Sequence, residues 1–118
     1  PLSGSSIAKH VFNSVTLASS AVGLKVLFSG NRGQDSDIEL DYRTSETGSE
    51  ALIDDKNWIL ATTENVIPFD TDQTFREYSY VINDLEDFNT FQFKIVFKSA
   101  SSANPPRVRD FRAIALAT

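Results

Sequence analysis

The sequence predicts an all-β fold, a two-sheet antiparallel β-sandwich of the jelly-roll type with about seven to eight strands. Apolar and polar residues alternate in several segments, which is the spacing that puts every second side chain of a strand on one face of a sheet. Short segments rich in Gly, Pro, Ser and Asp separate these runs, as turns between strands do. Nine Phe, three Tyr and one Trp among 118 residues supply large apolar side chains for a core.

Seven segments carry strand patterns. The clearest is Phe91–Lys98, in which four apolar residues share one face and polar residues dominate the other. The others are, in chain order, Val11–Leu17, Leu24–Phe28, Asp37–Arg43, Trp58–Leu60, Glu77–Ile82 and Val108–Ala117.

The last predicted strand contains an irregularity. Strict alternation would place Asp110 and Arg112 on the same face as apolar residues. One solution is a β-bulge near Asp110 or Phe111, because the extra residue shifts the register and turns the charges outward. The other is an Asp110–Arg112 ion pair at the sandwich edge, joined by a partner from a neighbouring strand. A binding role for the group Arg107, Arg109 and Arg112 is the functional alternative.

The chain length predicts one domain, residues 1–118, because 118 residues are too few for two separate cores. Residues 1–6 are rich in Ser and Gly and are predicted to be flexible. The chain contains no Met and begins at Pro1, which favours a domain excised from a longer parent chain. It contains no Cys, which excludes disulfides, thiolate metal sites and Cys nucleophiles.

Net charge and hydropathy limit the expected partners. The formal net charge is −5 at pH 7, whereas nucleic-acid-binding surfaces are usually basic, so no nucleic-acid partner is predicted. No apolar run approaches the ~20 residues of a membrane-spanning helix, so no membrane partner is predicted.

No residue pattern points to catalysis, and the chain is predicted not to be an enzyme. His10 is the only His, no Gly-x-Ser-x-Gly motif accompanies it, and a surface or strand-end position is expected for it. Carboxylate pairs occur, but sixteen acidic residues produce neighbouring pairs by chance. A glycosidase site needs two carboxylates that face each other across a cleft. No phosphate loop or dinucleotide motif is present, and no cofactor is predicted.

A structural calcium ion is the one metal for which the sequence offers candidate ligands. Asp70, Asp72 and Glu77 place carboxylates close together in the chain, and Ca²⁺ binds about 6–8 oxygens. The EF-hand pattern is incomplete, because no Gly stands where the loop would turn. The alternative is a solvated acidic loop.

Five residues are candidates for ligand binding. Trp58 is the candidate aromatic platform for a sugar, and its alternative is a place in the core or at its edge. Asn31 and Arg32 lie in a predicted loop at one end of the sandwich, where they serve either a ligand or the turn itself. Arg107 and Arg109, at the start of the last strand, complete the set.

Three stretches form a recognisable pattern of strands: Asp37–Ser45 (DIELDYRTS), Phe75–Ser99 (FREYSYVINDLEDFNTFQFKIVFKS) and Pro105–Thr118 (PPRVRDFRAIALAT). Together they resemble the C-terminal domain of large virion structural proteins from contractile-tailed bacteriophages, especially marine cyanophages. The resemblance extends over most of residues 22–118. The same layout is similar to the discoidin or galactose-binding jelly-roll class, although no ligand residue of that class can be matched to a position here.

The phage resemblance implies a non-enzymatic structural or interaction domain of the virion, in its tail, baseplate or neck. The implied partners are other virion proteins and other domains of the parent chain, through which the domain would form homo-oligomers. The implied location is the virion, assembled in the host cytoplasm. The galactose-binding resemblance implies the alternative function, a carbohydrate-binding or adhesion module whose partner is a host-surface glycan.

Overall fold

The computed structural model describes residues 6–33, 36–46, 52–64, 67–68, 74–99 and 106–117. All the strand pairs are antiparallel, and the all-β antiparallel sandwich that the sequence predicts is confirmed. A single 3₁₀ turn, Ile53–Asp55, is the helical element of the described part. The strands are β1 (Ser6–Val11), β2 (Val15–Asn31), β3 (Ser36–Glu46), β4 (Ile59–Leu60), β5 (Arg76–Ile82), β6 (Phe88–Ser99) and β7 (Arg107–Ala117).

β2 and β6 run antiparallel to each other at the centre of the sheet. β1 and the start of β2 pair with β6, and the rest of β2 pairs with β5. β3 pairs with β6 and carries the short β4, while β7 pairs with β2. The sheet curls so that β1, β3, β4 and β6 form a first layer, which faces a second layer of β5, β7 and the later part of β2.

The core lies between these two layers. Most of its side chains come from the inner faces of β2, β3, β5 and β6, and Leu24, Phe28 and Leu40 are completely buried. Phe28 stacks on Tyr78 with ring centroids 4.9 Å apart, which places two large rings side by side in the second layer. The alternation of Ile38, Leu40, Tyr42 on β3 and of Leu24, Val26, Phe28 on β2 supplies these positions, as their period of two predicts.

The N-terminal part of the chain differs from the sequence-based prediction of two separate strands. The chain leaves strand geometry at residues 12–14, and β2 then continues without interruption from Val15 to Asn31. Register shifts between Thr16 and Ala21 and between Ala21 and Gly23 allow this strand to pass from one layer to the other. Gly23 is required there, because a Cβ would lie 2.8 Å from the carbonyl oxygen of Ile82.

The predicted bulge in the last strand is confirmed. Arg112 pairs with Leu27, and Arg109 pairs with Ser29. Asp110 and Phe111 therefore both lie opposite the single residue Phe28. Asp110 has a φ of 58°, the left-handed conformation that Asp tolerates better than most residues. The extra residue resets the alternation, and Arg112 points outward.

The side of the sandwich between β3 and β5 is closed by the chain itself, and we call it the closed side. The amide of Ala61 donates to the carbonyl of Leu40 on β3 (2.9 Å), and the amide of Glu64 donates to the carbonyl of Ser79 on β5 (2.8 Å). Residues 61–64 therefore bridge the two strand edges.

Candidate functional site

The opposite side of the sandwich contains an apolar groove of about 540 Å³, which we call the seam groove. It opens between β7 of the second layer and the start of β2 with β6 of the first layer. Its lining consists of Phe12, Asn13, Val15, Leu17, Phe91, Phe93, Phe111, Ala113 and Ala115. One polar residue among nine makes it a surface for apolar groups.

Phe111 forms one end of the seam groove and is placed there by the bulge of β7. Its ring stacks on Phe12 with centroids 4.2 Å apart and meets the edge of Phe93 at 5.7 Å. The next inward residues of β7 are Ala113 and Ala115, whose single methyl groups leave the volume of the groove unfilled. The groove exists because large aromatic rings at one end are followed by small side chains.

The outer face of the first layer positions Phe12. The side-chain amide of Gln92 donates to the carbonyl of Phe12 (2.8 Å) at the point where the chain leaves β1. Arg43 donates from Nε and Nη2 to Oε1 of Gln92 (2.9 and 2.7 Å). This chain of hydrogen bonds fixes the turn between β1 and β2, and with it one wall of the groove.

Two strand edges border the seam groove. In the part of the chain that the structure describes, β7 pairs with β2 along one edge and no strand pairs with its other edge from Val108 to Ala117. The start of β2 pairs with β6, and no described strand lies on its second edge. Ile114 on β7 and Val15 on β2 are 55% and 44% exposed. Apolar side chains and backbone hydrogen-bonding groups are thus accessible together.

Trp58 lies on the outer face of the first layer and not in the core. Its ring is half-buried against two cations: the guanidinium carbon of Arg43 lies 4.1 Å from the ring centroid and Nζ of Lys94 lies 4.6 Å from it. Arg43 also donates to the carbonyl oxygens of Asp54 (3.3 Å) and Lys56 (3.2 Å). The segment before β4 is therefore attached to β3 around the Trp ring.

Asn31 and Arg32 use their side-chain donors within the domain. Nδ2 of Asn31 donates to the carbonyl of Thr74 (2.5 Å). Arg32 donates to the carbonyls of Ser36 (2.9 Å) and Ile67 (2.6 Å) on the closed side. Arg32 also lines a smaller cavity there, of about 380 Å³. These contacts hold the closing segment, and the predicted ligand role of both residues stays a prediction.

Arg107 and Arg109 lie beside Phe75 at the outer face of the second layer. The guanidinium carbon of Arg109 is 3.8 Å from the ring centroid of Phe75, and that of Arg107 is 5.9 Å from it. Glu77 is nearby on β5 and pairs with Arg112 at 3.3 Å. The register also pairs Asn31 with Arg107. The structure therefore brings four of the predicted residues together and leaves Trp58 on the other layer and Arg32 on the closed side.

The predicted calcium site cannot be described as a whole, because Asp70 and Asp72 lie outside the described residues. Glu77, its third candidate ligand, has an exposed carboxylate paired with Arg112. Among the residues that the structure describes, no three His, Asp or Glu side chains are grouped closely enough to hold a metal ion. The calcium ion stays a prediction.

The outer face of the first layer carries a row of ion pairs between β3 and β6. Nζ of Lys98 lies 2.6 Å from Glu39, and Nζ of Lys94 lies 3.4 Å from Asp41. The hydrogen bond from Lys98 to Glu39, together with the charge of that carboxylate, raises the pKa of Lys98. Lys98 and Lys94 are therefore satisfied by carboxylates of the same sheet.

The sequence pattern alone does not indicate that the residues of the seam groove form a site. Phe111 stands between Asp110 and Arg112, and a single Phe among polar neighbours usually indicates only a position in the core. One signal was present in the sequence: Phe111 is followed by Ala113 and Ala115 at inward positions. Small side chains after a large one leave space if no larger residue faces them.

No protein family, curated protein or solved structure matches this chain. Among the residues described, no helix has the length and apolar character needed to span a membrane.

Proposed function

We propose that this chain is a non-enzymatic interaction domain that assembles with other proteins through the seam groove, as a structural part of a bacteriophage virion such as its tail or baseplate. The seam groove carries the proposal. An apolar groove of about 540 Å³ with Phe rings at one end and a strand edge along one side is a surface that a partner can fill.

The energetics favour a partner over exposure to water. Burial of apolar surface stabilises a complex by about 25 cal/mol per Å² before the cost of association is subtracted. Val15, which lines the groove and is 44% exposed, would lose exposed surface in such a complex. The rings of Phe12 and Phe111 are already held in place by their mutual stacking, so little side-chain ordering remains to be done on binding.

The virion setting rests on the resemblance of three stretches of the sequence to phage structural proteins. Assembly by protein–protein contact is the function that this resemblance implies. The seam groove supports the same function from the geometry, since it offers a contact surface without requiring any reaction.

A photo-crosslinking experiment tests the proposal. Ala113 is replaced by p-benzoylphenylalanine, and the chain is expressed with any flanking sequence that its gene encodes, in cells that assemble the particle. The matched control carries the same photoreactive residue at Thr62, which is exposed on the closed side. Irradiated particles are analysed by mass spectrometry.

We expect position 113 to crosslink to a virion protein or to another domain of the parent chain, and position 62 to give none of that product. Identical products from the two positions, or particles that contain none of the chain, would show that the groove is not an assembly surface.

A second candidate function, carbohydrate binding, is favoured by Trp58 alone. Its ring lies outside the core, and its packing against Arg43 and Lys94 holds it in a fixed orientation. Such a ring suits stacking on a sugar. As the only Trp, it reports its own surroundings, so a change of fluorescence on titration with neutral oligosaccharides, retained in Phe75→Ala, would support this function. An unchanged spectrum at about 100 mM sugar would exclude a sugar at this ring.

A further inference from the structure

The two layers of the curled sheet leave an opening on each side of the sandwich, and among the described residues the chain covers only one of them. On the closed side, residues 61–64 lie between β3 and β5 and donate backbone hydrogen bonds to Leu40 and Ser79. On the side of the seam groove, no described segment occupies the corresponding position. The closed side shows what suits such an opening: an extended segment that hydrogen-bonds to a strand edge while its side chains face the core.

The edge of β7 is unprotected over its second half. Natural edge strands usually carry charges, Pro or a bulge that discourage further pairing. In β7, the arginines and the bulge at Asp110 protect the first half. Residues Ala113–Ala117 contain no charge, no Pro and no bulge-forming residue of positive φ. An additional strand could therefore pair with this half without loss of an existing contact.

The positive charge of β7 indicates that the additional strand carries a negative charge on its outward face. β7 contains three Arg and one Asp, whereas the whole chain has a net charge of −5. Arg112 is more than half exposed on the outward side, although it pairs with Glu77. Opposite charges on neighbouring strands stabilise a sheet, and like charges destabilise it. A carboxylate on the outward side of the new strand would lie opposite Arg112.

The lining of the groove determines the other face of the additional strand. Phe111, Ala113 and Ala115 point inward from β7, so the inward side chains of the new strand must be apolar. Because the methyl groups of Ala113 and Ala115 leave room, these side chains can be of the size of Val or Leu.

We propose that the seam groove binds an extended peptide segment, apolar at alternate positions and acidic opposite Arg112, as an additional strand on the edge of β7 that no described strand occupies. This inference rests on the proposed function and specifies its partner. The apolar residues fill the groove, a carboxylate faces Arg112, and the backbone pairs with β7 from Phe111 to Ala117. This is strand addition, in which backbone hydrogen bonds provide affinity and alternate side chains provide specificity.

The test uses a capped eight-residue peptide of alternating Val and Glu, added to the isotope-labelled chain and followed by NMR. One control peptide has Lys in place of Glu, and a second has the composition of the first with its four Val grouped together. The protein variants are Arg112→Glu, which reverses the outward charge, and Ala113→Trp, which fills the groove. Lys56→Glu, on the other layer, is the matched control for net charge.

We expect the Val–Glu peptide to shift the amide signals of residues 111–117 and of the start of β2, and the grouped peptide to leave them unchanged. Ala113→Trp should weaken binding by at least about tenfold, a loss of about 1.4 kcal/mol. Arg112→Glu should reverse the preference in favour of the Lys peptide, while Lys56→Glu should preserve it. The reversal is decisive even if Ala113→Trp fails to fold.

Absence of shifts along β7, or equal binding of the grouped peptide, would overturn the inference. So would concentration-dependent dimerisation through β7 in sedimentation experiments, because the occupant would then be a second copy. In either case a position-specific crosslink from residue 113 would leave the proposed function standing. The failure of the crosslink together with that of the peptide would remove both.

Discussion

Asp110 adopts a φ of 58°, and this one residue determines which side chains of β7 face the core. Without the extra residue at this point, Arg112 would lie on the inner face and Phe111 on the outer face. The bulge instead brings Phe111 against Phe12 and Phe28, at 4.2 and 6.1 Å between ring centroids. The end wall of the seam groove is therefore a consequence of the backbone conformation of Asp110.

Substitutions of Asp110 should follow backbone preference and not charge. Asp110→Gly should retain the stability of the domain, because Gly adopts positive φ freely. Asp110→Val should reduce the free energy of unfolding by about 1–2 kcal/mol, since the left-handed conformation is strained for a β-branched residue. Urea unfolding would measure both.

Glu46→Val provides the control, because Glu46 is an exposed strand residue without positive φ. Equal losses for Asp110→Val and Glu46→Val would show that the bulge does not depend on the conformation of Asp110.

At the scale of elements, β3 and β6 are joined by apolar pairs on the inner face and by charge pairs on the outer face. Asp41 pairs with Lys94 in the strand register, and both side chains are 14% exposed. Lys94 also contacts the ring of Trp58. By contrast, Arg112 and Glu77 on the second layer are 56% and 62% exposed. The two pairs therefore differ in burial much more than in distance.

A comparison of double-mutant cycles should reveal this difference. For Asp41→Asn with Lys94→Gln, we expect a coupling energy of about 1–3 kcal/mol, because the pair is shielded from water. For Glu77→Gln with Arg112→Gln, we expect about 0.2–1 kcal/mol. Thermal or urea unfolding of the single and double variants gives both values. Similar coupling energies would mean that solvent screens the two pairs equally.

The strands themselves were largely predictable, because alternation in a single segment reports which of its faces is buried. The bulge of β7 was predictable for the same reason, since Asp110 and Arg112 broke that alternation. The pairing of strands was not, because nothing within β1 or β7 indicates its neighbour. The seam groove depends on Phe12 and Phe111 meeting from opposite ends of the chain, and Trp58 gave no local sign that it packs on cations outside the core.

At the scale of the whole molecule, burial of the core governs the response to alkaline pH. Burial raises the pKa of Tyr80 above its usual value near 10, and the nearby Tyr78, Asp37 and Glu39 raise it further. The folded state therefore keeps this proton at a pH where the unfolded chain loses it. Lys98, whose pKa is also raised, acts in the same direction.

The contribution of Tyr80 to the free energy of unfolding should be constant below about pH 10. Above that pH the contribution should fall by about 1.4 kcal/mol per pH unit. Tyr80→Phe removes this ionisation, so its stability should fall less steeply between about pH 9 and 11. Urea unfolding across this range measures the two slopes. Parallel slopes would show that Tyr80 ionises equally in both states.

β2 belongs to both layers, and this has a consequence for synthesis. Its partners β5, β6 and β7 all follow it in the chain, the last of them ending at Ala117. At ~5–20 residues per second, the ribosome needs roughly 4–17 s to pass from the end of β2 to the end of β7. For most of this interval the strands that pair with β2 are incomplete, so the nascent chain exposes Leu24, Val26 and Phe28 as an apolar segment to which a chaperone can bind.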